Sequence, residues 1–231
     1  LLSWEIDMDS MVMHVTYDEA VESSANLPSY YLLLQEPDDV LSAQRYLLTS
    51  TTRAGSGNTV TIDISNIDMN AIKLQHPNLC TSSTNCFLSV RSNAITDISH
   101  SVKSYGGQLF AYAIAPTSYV PDTTPPTIQH YNFSAETGEL WVEMSEIVSC
   151  SSVDLGLLRF QFASFLGTSG QYVYPIYSSP DCSYATGSLS KSFYIPLDID
   201  DVTSIKAKSS LFKSIDSTFI GAGAGAFTDV F

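Results

Sequence analysis

Four cysteines are the residues of this 231-residue chain whose spacing predicts covalent chemistry. Cys80 and Cys86 bracket a short polar loop, whereas Cys150 and Cys182 lie further apart in the second half. Neither pair has the C-x-x-C spacing of a zinc site, and no histidine adjoins either pair. We therefore predict two disulfides, Cys80–Cys86 and Cys150–Cys182, and an oxidising, secretory setting. Buried free thiols are the alternative.

The histidines do not form a catalytic constellation. They are scattered along the chain, at His14, His76, His100 and His130. The sequence has no G-x-S-x-G motif, no H-E-x-x-H motif and no phosphate-binding loop. Nucleophilic catalysis needs a base within hydrogen-bond reach of the nucleophile, and no pair of residues indicates one. We therefore predict that the protein is not an enzyme and has no organic cofactor.

A set of carboxylates recurs in both halves of the chain and is a candidate for Ca²⁺ binding. Hard cations prefer such oxygen ligands, as at the junctions of tandem β-domains. Turn and cap roles explain the same residues without a metal, and no EF-hand loop is present. The candidate ligands are Glu19, Asp97, Glu146 and Asp229.

Two short patterns predict covalent glycans. Asn132-Phe133-Ser134 is an N-x-S/T sequon, and strand alternation places Phe133 inward and Asn132 outward. Thr123 and Thr124 stand among prolines, as O-glycosylated residues often do. We predict glycans on Asn132, Thr123 and Thr124.

Charge and composition exclude several function classes. The net charge is −14 and no Lys/Arg run exists, so the chain repels phosphate backbones and we predict no nucleic-acid partner. No stretch approaches the roughly 20 apolar residues of a spanning helix, which argues against membrane insertion. No signal peptide precedes Leu1, so we expect a mature or excised piece.

The chain contains two copies of one unit. Residues 6–21 align with 133–148 without a gap, and Trp4 falls on Tyr131, an offset of 127. Two later blocks align at offsets of 133 and 132, as in the pairs Ile62/Ile195 and Ala94/Ala226. Matched blocks in one order predict duplicated domains, since the offset changes fall in loops that tolerate insertions.

Alternating apolar and polar residues predict antiparallel strands in both copies. One short helix per copy, at 68–75 and 200–208, is expected to cap one end of a sandwich with Ile72 and Ile205 inward. Four prolines within residues 115–126 predict a stiff connector. The predicted organisation is a domain at 1–115, a linker at 116–126 and a domain at 127–231.

The motifs at the domain borders resemble a known repeat family. Tandem immunoglobulin-like repeats in microbial surface and surface-layer proteins have a D-x-x-P-P opening, an F-S-E-P-V strand end and a G-x-x-x-D close. This chain resembles them, in that order, at Asp122-Thr123-Thr124-Pro125-Pro126, Met144-Ser145-Glu146-Ile147-Val148 and Gly225-Ala226-Phe227-Thr228-Asp229. More loosely, the chain is similar to repeat proteins of algal appendages, including mastigoneme-type filaments.

This resemblance covers nearly all of both copies. It implies an all-β fold of two tandem immunoglobulin-like β-sandwiches, each with one short crossover helix, and roles as spacers, walls or adhesins. Ala20 and Ile147 stand where the repeat motif has proline, so the two copies depart from the pattern at that position.

The repeat frame predicts an incomplete second sandwich. The first copy continues beyond Asp97 into an apolar segment at 105–114 that should complete its sheet, whereas the second stops at Phe231. A sandwich without its last strand exposes unpaired backbone groups and an apolar groove. Either the chain is a window of a longer array, or separate chains stack head to tail.

Head-to-tail stacking would place the interface at the two ends of the chain. The alternating small residues at 221–226 would allow close backbone approach, although a flexible loop explains them equally. The predicted interface residues are Leu1, Leu2, Trp4, Ile6, Gly221, Gly223, Gly225, Phe227 and Phe231.

We therefore predict an extracellular structural protein, a subunit or segment of a glycosylated surface filament, with copies of itself as partners. The alternative is an adhesin or carbohydrate-binding module that uses exposed aromatic residues and has glycans as partners. Its candidate residues are Tyr172, Tyr174, Tyr177 and Tyr184, which more often line a sheet face.

Overall fold

The computed structural model describes residues 1–21, 31–36, 44–50, 52–91, 94, 113–162, 164, 173–176, 189–208, 211–212, 214 and 218–230. These residues form mostly β-strands with two α-helices, so the predicted all-β class is confirmed. The chain divides into two compact units, Leu1–Thr124 (unit 1) and Pro125–Val230 (unit 2).

The described residues of unit 1 form two sheets. The elements are β1 (Ser3–Asp7), β2 (Val12–Thr16), β3 (Tyr31–Leu34), β4 (Arg45–Leu47), β5 (Thr52–Ser56), β6 (Thr59–Asp63), α1 (Asn66–Lys73), β7 (Phe87–Val90), β8 (Ala113–Ile114) and β9 (Ser118–Val120). The first sheet has the strand order β5-β6-β2-β1-β9, in which β9 is parallel to β1, and the second has the order β4-β3-β7-β8.

The two sheets of unit 1 share one apolar core, because every second residue of β1, β2 and β6 points inward. Trp4 and Val60 come from the first sheet, and Leu33 and Leu88 come from the second; all are fully buried. Strand β3 is buried along its whole length, as expected for its continuous apolar sequence.

Helix α1 begins at Asn66, two residues earlier than predicted, because Ser65 caps it. The Ser65 hydroxyl accepts a hydrogen bond from the Asp68 backbone N–H, which satisfies a donor of the first turn. Met69 and Ile72 face the core, so the inward position predicted for Ile72 is confirmed.

The described residues of unit 2 also form two sheets. The elements are β10 (Ile128–Ser134), β11 (Glu139–Ser149), β12 (Leu158–Gln161), β13 (Val173–Pro175), β14 (Leu189–Pro196), α2 (Ile199–Ala207) and β15 (Phe219–Ala222). The strand orders are β10-β11-β14 and β13-β12-β15. Short 3-10 turns at Cys150–Ser152 and Leu155–Leu157 lie between β11 and β12.

Strand pairing in the two units follows the sequence repeat residue by residue. The pairs Trp4↔Val15, Met13↔Ile62 and Leu33↔Leu88 in unit 1 correspond to Tyr131↔Val142, Leu140↔Ile195 and Phe160↔Ile220 in unit 2. The β-hairpin turns match too, since Met11 and Gly138 both have positive φ, 56° and 75°. The duplication inferred from the sequence is therefore a duplication of sheet register.

Part of the proline-rich segment predicted as a connector, 116–126, is a strand. Residues Ser118–Val120 form β9 at the edge of the first sheet, between Pro116 and Pro121. Proline cannot donate to a ladder, which confines it to edges and strand ends, and both prolines lie outside the paired residues.

Candidate assembly site

Residues 113–124 run along the exposed edges of both sheets of unit 1, and we call them the closing segment. Its first strand, β8, pairs antiparallel with β7, with Leu88 opposite Ile114. Its second strand, β9, pairs parallel with β1, with Ile6 opposite Tyr119. The closing segment therefore crosses from one sheet to the other and seals one side of the core.

Hydrogen bonds fix the closing segment to β1 at both ends. The Trp4 indole Nε1–H donates to the Ile114 carbonyl at 2.8 Å, and the Thr117 N–H donates to the Trp4 carbonyl at 2.8 Å. At the other end the Met8 N–H donates to the Val120 carbonyl at 2.9 Å. The edge of β1 is thus occupied, and backbone groups that would otherwise be buried unpaired are satisfied.

A buried ion pair ties the closing segment to the last turn of α1. The Lys73 Nζ lies 2.7 Å from Asp122 Oδ2, and the two side chains are 0% and 8% exposed. Such a pair is costly to desolvate, so removing either partner takes away this compensation for the buried charge of the other. A neutral residue at position 122 is therefore expected to destabilise unit 1.

The β1–β2 turn holds the end of the closing segment through Asp9. Its carboxylate accepts hydrogen bonds from the Thr123 N–H at 2.8 Å and from the hydroxyls of Thr123 and Thr124 at 3.1 and 3.0 Å. The bond from the Thr123 backbone, followed by those from the hydroxyls, lowers the pKa of Asp9 to about 2. The two threonines predicted as glycan sites therefore have their hydroxyls engaged by this carboxylate.

The corresponding edges of unit 2 lack such a segment among the described residues. Strand β10 pairs with β11, strand β15 pairs with β12, and neither has a described partner on its other side. A groove of about 320 Å³ lies where β10 begins and β15 ends, and it is lined by residues 125–128 and 222–227 together with Ile220.

Side chains that are sealed in unit 1 are partly exposed in unit 2. Trp4, Ile6 and Leu88 are at most 1% exposed. Their counterparts Tyr131, Phe133 and Ile220 are only partly buried against the core of unit 2. Because pairing register is the same in both units, we attribute the difference to the closing segment.

The two groups that hold the end of the closing segment also have counterparts in unit 2. Lys206 takes the position of Lys73 in the second helix, and Glu136 takes the position of Asp9 in the hairpin turn. Both Lys206 and Glu136 are exposed. Unit 2 therefore presents a cation, an anion and two strand edges where unit 1 uses the same groups to bind residues 113–124.

The residues predicted for the assembly interface occupy different environments. Leu1 and Leu2 are 41% and 64% exposed, whereas Trp4 and Ile6 lie in the core of unit 1, where their side chains cannot meet a partner. Phe227 is 8% exposed and lines the groove of unit 2.

The small residues of the same prediction lie at or beside β15. Gly221 is within this strand, and Gly223 and Gly225 line the groove of unit 2. Phe231 lies outside the described residues.

The predicted disulfide between Cys80 and Cys86 is present, with a Cα–Cα distance of 4.1 Å. Cys150 is also disulfide-bonded, while its predicted partner, Cys182, lies outside the described residues. Disulfides persist in oxidising compartments, so this chemistry indicates a location other than the cytoplasm.

The predicted Ca²⁺ ligands are only partly brought together. Glu146 and Asp229 of unit 2 are half-buried, with carboxylate oxygens within 4.8 Å of each other. Glu19 of unit 1 is exposed, and Asp97 lies outside the described residues. Asp229 also accepts a hydrogen bond from the Val230 N–H at 2.6 Å, in keeping with a turn role.

The remaining described candidate residues do not line the groove of unit 2. Asn132 is exposed on β10, as its sequon requires. His14 is exposed on β2, with its Nδ1 3.0 Å from the Thr61 hydroxyl. Tyr174 lies in β13, whereas Tyr172, Tyr177 and Tyr184 are outside the described residues.

Sequence reasoning missed a carboxylate of unit 1 that accepts several hydrogen bonds. Asp68 is fully buried and accepts bonds from the Tyr46 hydroxyl at 2.7 Å, the Thr49 hydroxyl at 2.6 Å, the Ser50 N–H at 2.6 Å and the Ser50 hydroxyl. Burial would raise the pKa of Asp68, but the donors, Ser50 first, outweigh it and hold the pKa below its ordinary value. This network fastens the strand-end residues 46–50 to α1.

No protein-family model and no curated protein sequence matches this chain. Within the part of the chain that the structure describes, no helix has the length and apolar character needed to span a membrane.

Proposed function

We propose that this chain is an extracellular structural protein, a subunit or segment of a glycosylated surface filament in which immunoglobulin-like sandwiches follow one another head to tail. The observation that carries the proposal is the contrast between two units of identical register, one sealed along its sheet edges and one with the same edges lacking a described partner. Edges of this kind are templates for strand addition, and a contact that does not close on itself propagates.

Two further features support this proposal. Disulfide bonding fits an oxidising exterior, and the low charged fraction of 15% leaves a surface rich in hydroxyl groups. A duplicated domain joined by a short proline-containing segment suits an array, since each unit repeats one geometry.

Electron microscopy of the native surface material and of the purified chain tests this proposal. We expect filaments with an axial repeat set by one or two sandwiches, and a mass that falls after enzymatic removal of glycans. Globular particles under all assembly conditions, together with specific binding on a glycan array, would instead favour a carbohydrate-binding module.

A further inference from the structure

We propose that the edges of β10 and β15 in unit 2 form a strand-accepting site, and that its ligand is an extended polypeptide with the chemistry of the closing segment. The strand would pair parallel to β10 and cross to β15. It rests on the proposed function and specifies the chemistry of the partner.

The backbone geometry of unit 1 defines what the edge of β10 can bind. The carbonyl of Trp4 and the N–H of Met8 point toward β9 and bond to it. The shared register places the carbonyl of Tyr131 and the N–H of Ala135 on the same edge of β10, facing away from β11. An added strand would pair with these groups as the closing segment pairs with β1.

The apolar part of the site selects the side chains of the ligand. In unit 1, Ile114 and Tyr119 of the closing segment pack against the core. In unit 2, the side chains of Tyr131, Phe133 and Ile220 remain partly exposed. Apolar residues with the spacing of Ile114 and Tyr119 would cover them and remove this surface from water.

The charged part of the site selects the end of the ligand. Lys73 binds Asp122 and Asp9 binds Thr123 and Thr124 in unit 1, and Lys206 and Glu136 hold the two equivalent positions in unit 2. The ligand should therefore carry an acidic residue two positions after its apolar strand, followed by hydroxyl residues. A neutral or basic residue there would leave Lys206 uncompensated as it becomes buried.

A synthetic peptide with the sequence of residues 113–124, AIAPTSYVPDTT, is the probe. We expect saturable binding to the full chain by fluorescence anisotropy, and none by a scrambled peptide. Hydrogen exchange should slow at 131–135 and 219–222 when the peptide is bound, and should be unchanged along β1.

A double-mutant cycle tests the charge match. Lys206→Met should weaken peptide binding by about tenfold, because it removes one partner of a pair that binding buries. Replacing the aspartate of the peptide by asparagine should weaken binding to the unaltered chain similarly, with little further loss on Lys206→Met. Lys208→Met is the matched control, since Lys208 is also exposed and lies just beyond α2.

Absence of saturable binding, or equal binding by the Lys206→Met and Lys208→Met chains, would overturn the inference. Strong protection of the outward-facing amides of Phe133 and Ala135 in the peptide-free chain would also overturn it, because another segment or a second copy would then already cover β10. Filaments that form while the peptide fails to bind would refute the strand-accepting site alone. Peptide binding at unit 2 without filaments under any condition would refute the proposed function alone.

Discussion

Unit 1 and unit 2 share strand register, hairpin turns and a helix at the same position, yet their edges differ. In unit 1 the closing segment covers β1 and β7, and the residues beneath it are fully buried. In unit 2 the matching residues of β10 and β15 are partly exposed. The shared strand pairing alone does not bury these positions. Their burial in unit 1 depends on the closing segment, which is distant from them in sequence.

The same comparison separates two lysines that the sequence repeat aligns. Lys73 is fully buried against Asp122, while Lys206 is exposed. The contribution of this lysine to stability therefore depends on the segment that packs against the helix. Four substitutions in unit 1, two of them matched by substitutions in unit 2, test how its edges and strand ends are held, beginning with the largest expected effect.

Lys73→Met should destabilise unit 1 by about 4 kcal/mol, because Asp122 would remain as a buried charge without this cation. The matched variant Lys206→Met should change the stability of unit 2 by less than about 0.5 kcal/mol, as surface substitutions do. Urea denaturation followed by peptide-resolved hydrogen exchange measures each unit separately. Equal losses in the two units would contradict the contrast.

Leu88→Ala should cost unit 1 about 3 kcal/mol, since it removes a fully buried side chain and leaves a cavity. Ile220→Ala, at the matching position of unit 2, should cost about 1 kcal/mol because Ile220 is only partly buried. The same denaturation assay applies. A larger loss for Ile220→Ala would mean that the edge of β15 is already covered.

Asp68→Asn should destabilise unit 1 by about 2 kcal/mol at neutral pH, because an amide cannot accept all the hydrogen bonds that the carboxylate accepts. The folded pKa of Asp68 is below its ordinary value of 3.8, so its contribution is full above that value and is lost as pH falls through the folded pKa.

Unfolding measured from pH 7 to pH 2 should therefore show a smaller loss of stability below pH 4 for Asp68→Asn than for the unaltered chain. Asp18→Asn, an exposed change in the same unit, serves as the control and should leave the profile unaltered. Identical acid profiles for the unaltered and Asp68→Asn chains would refute this role.

Asp9→Asn should have the smallest effect, a local loosening of the closing segment around Thr123. The Asp9 carboxylate should titrate with a pKa of about 2 in a carbon-detected NMR experiment, and the Thr123 amide signal should move with the same midpoint. A midpoint near the ordinary aspartate value would show that the contact does not persist in solution.

The repeat made the register predictable, because aligned residues at offsets of 127, 133 and 132 reappear as aligned strand pairs. The helices were also predictable, although the Ser65 cap moved the start of α1. The roles of Lys73 and Asp122 were not, since Lys73 and Lys206 look equivalent in sequence and differ only through a contact across 49 positions. Strand β9 was missed because its flanking prolines predicted a connector. Prolines at the ends of an edge strand are nevertheless compatible with pairing.

Hydrogen exchange along β10, compared between dilute chain and assembled material, tests the central claim most directly. The outward-facing amides of Phe133 and Ala135 should exchange rapidly in the dilute chain and become strongly protected on assembly. The equivalent amides of Ile6 and Met8 should be protected in both states. Protection of Phe133 and Ala135 already present in the dilute monomer, and unchanged on assembly, would contradict the account.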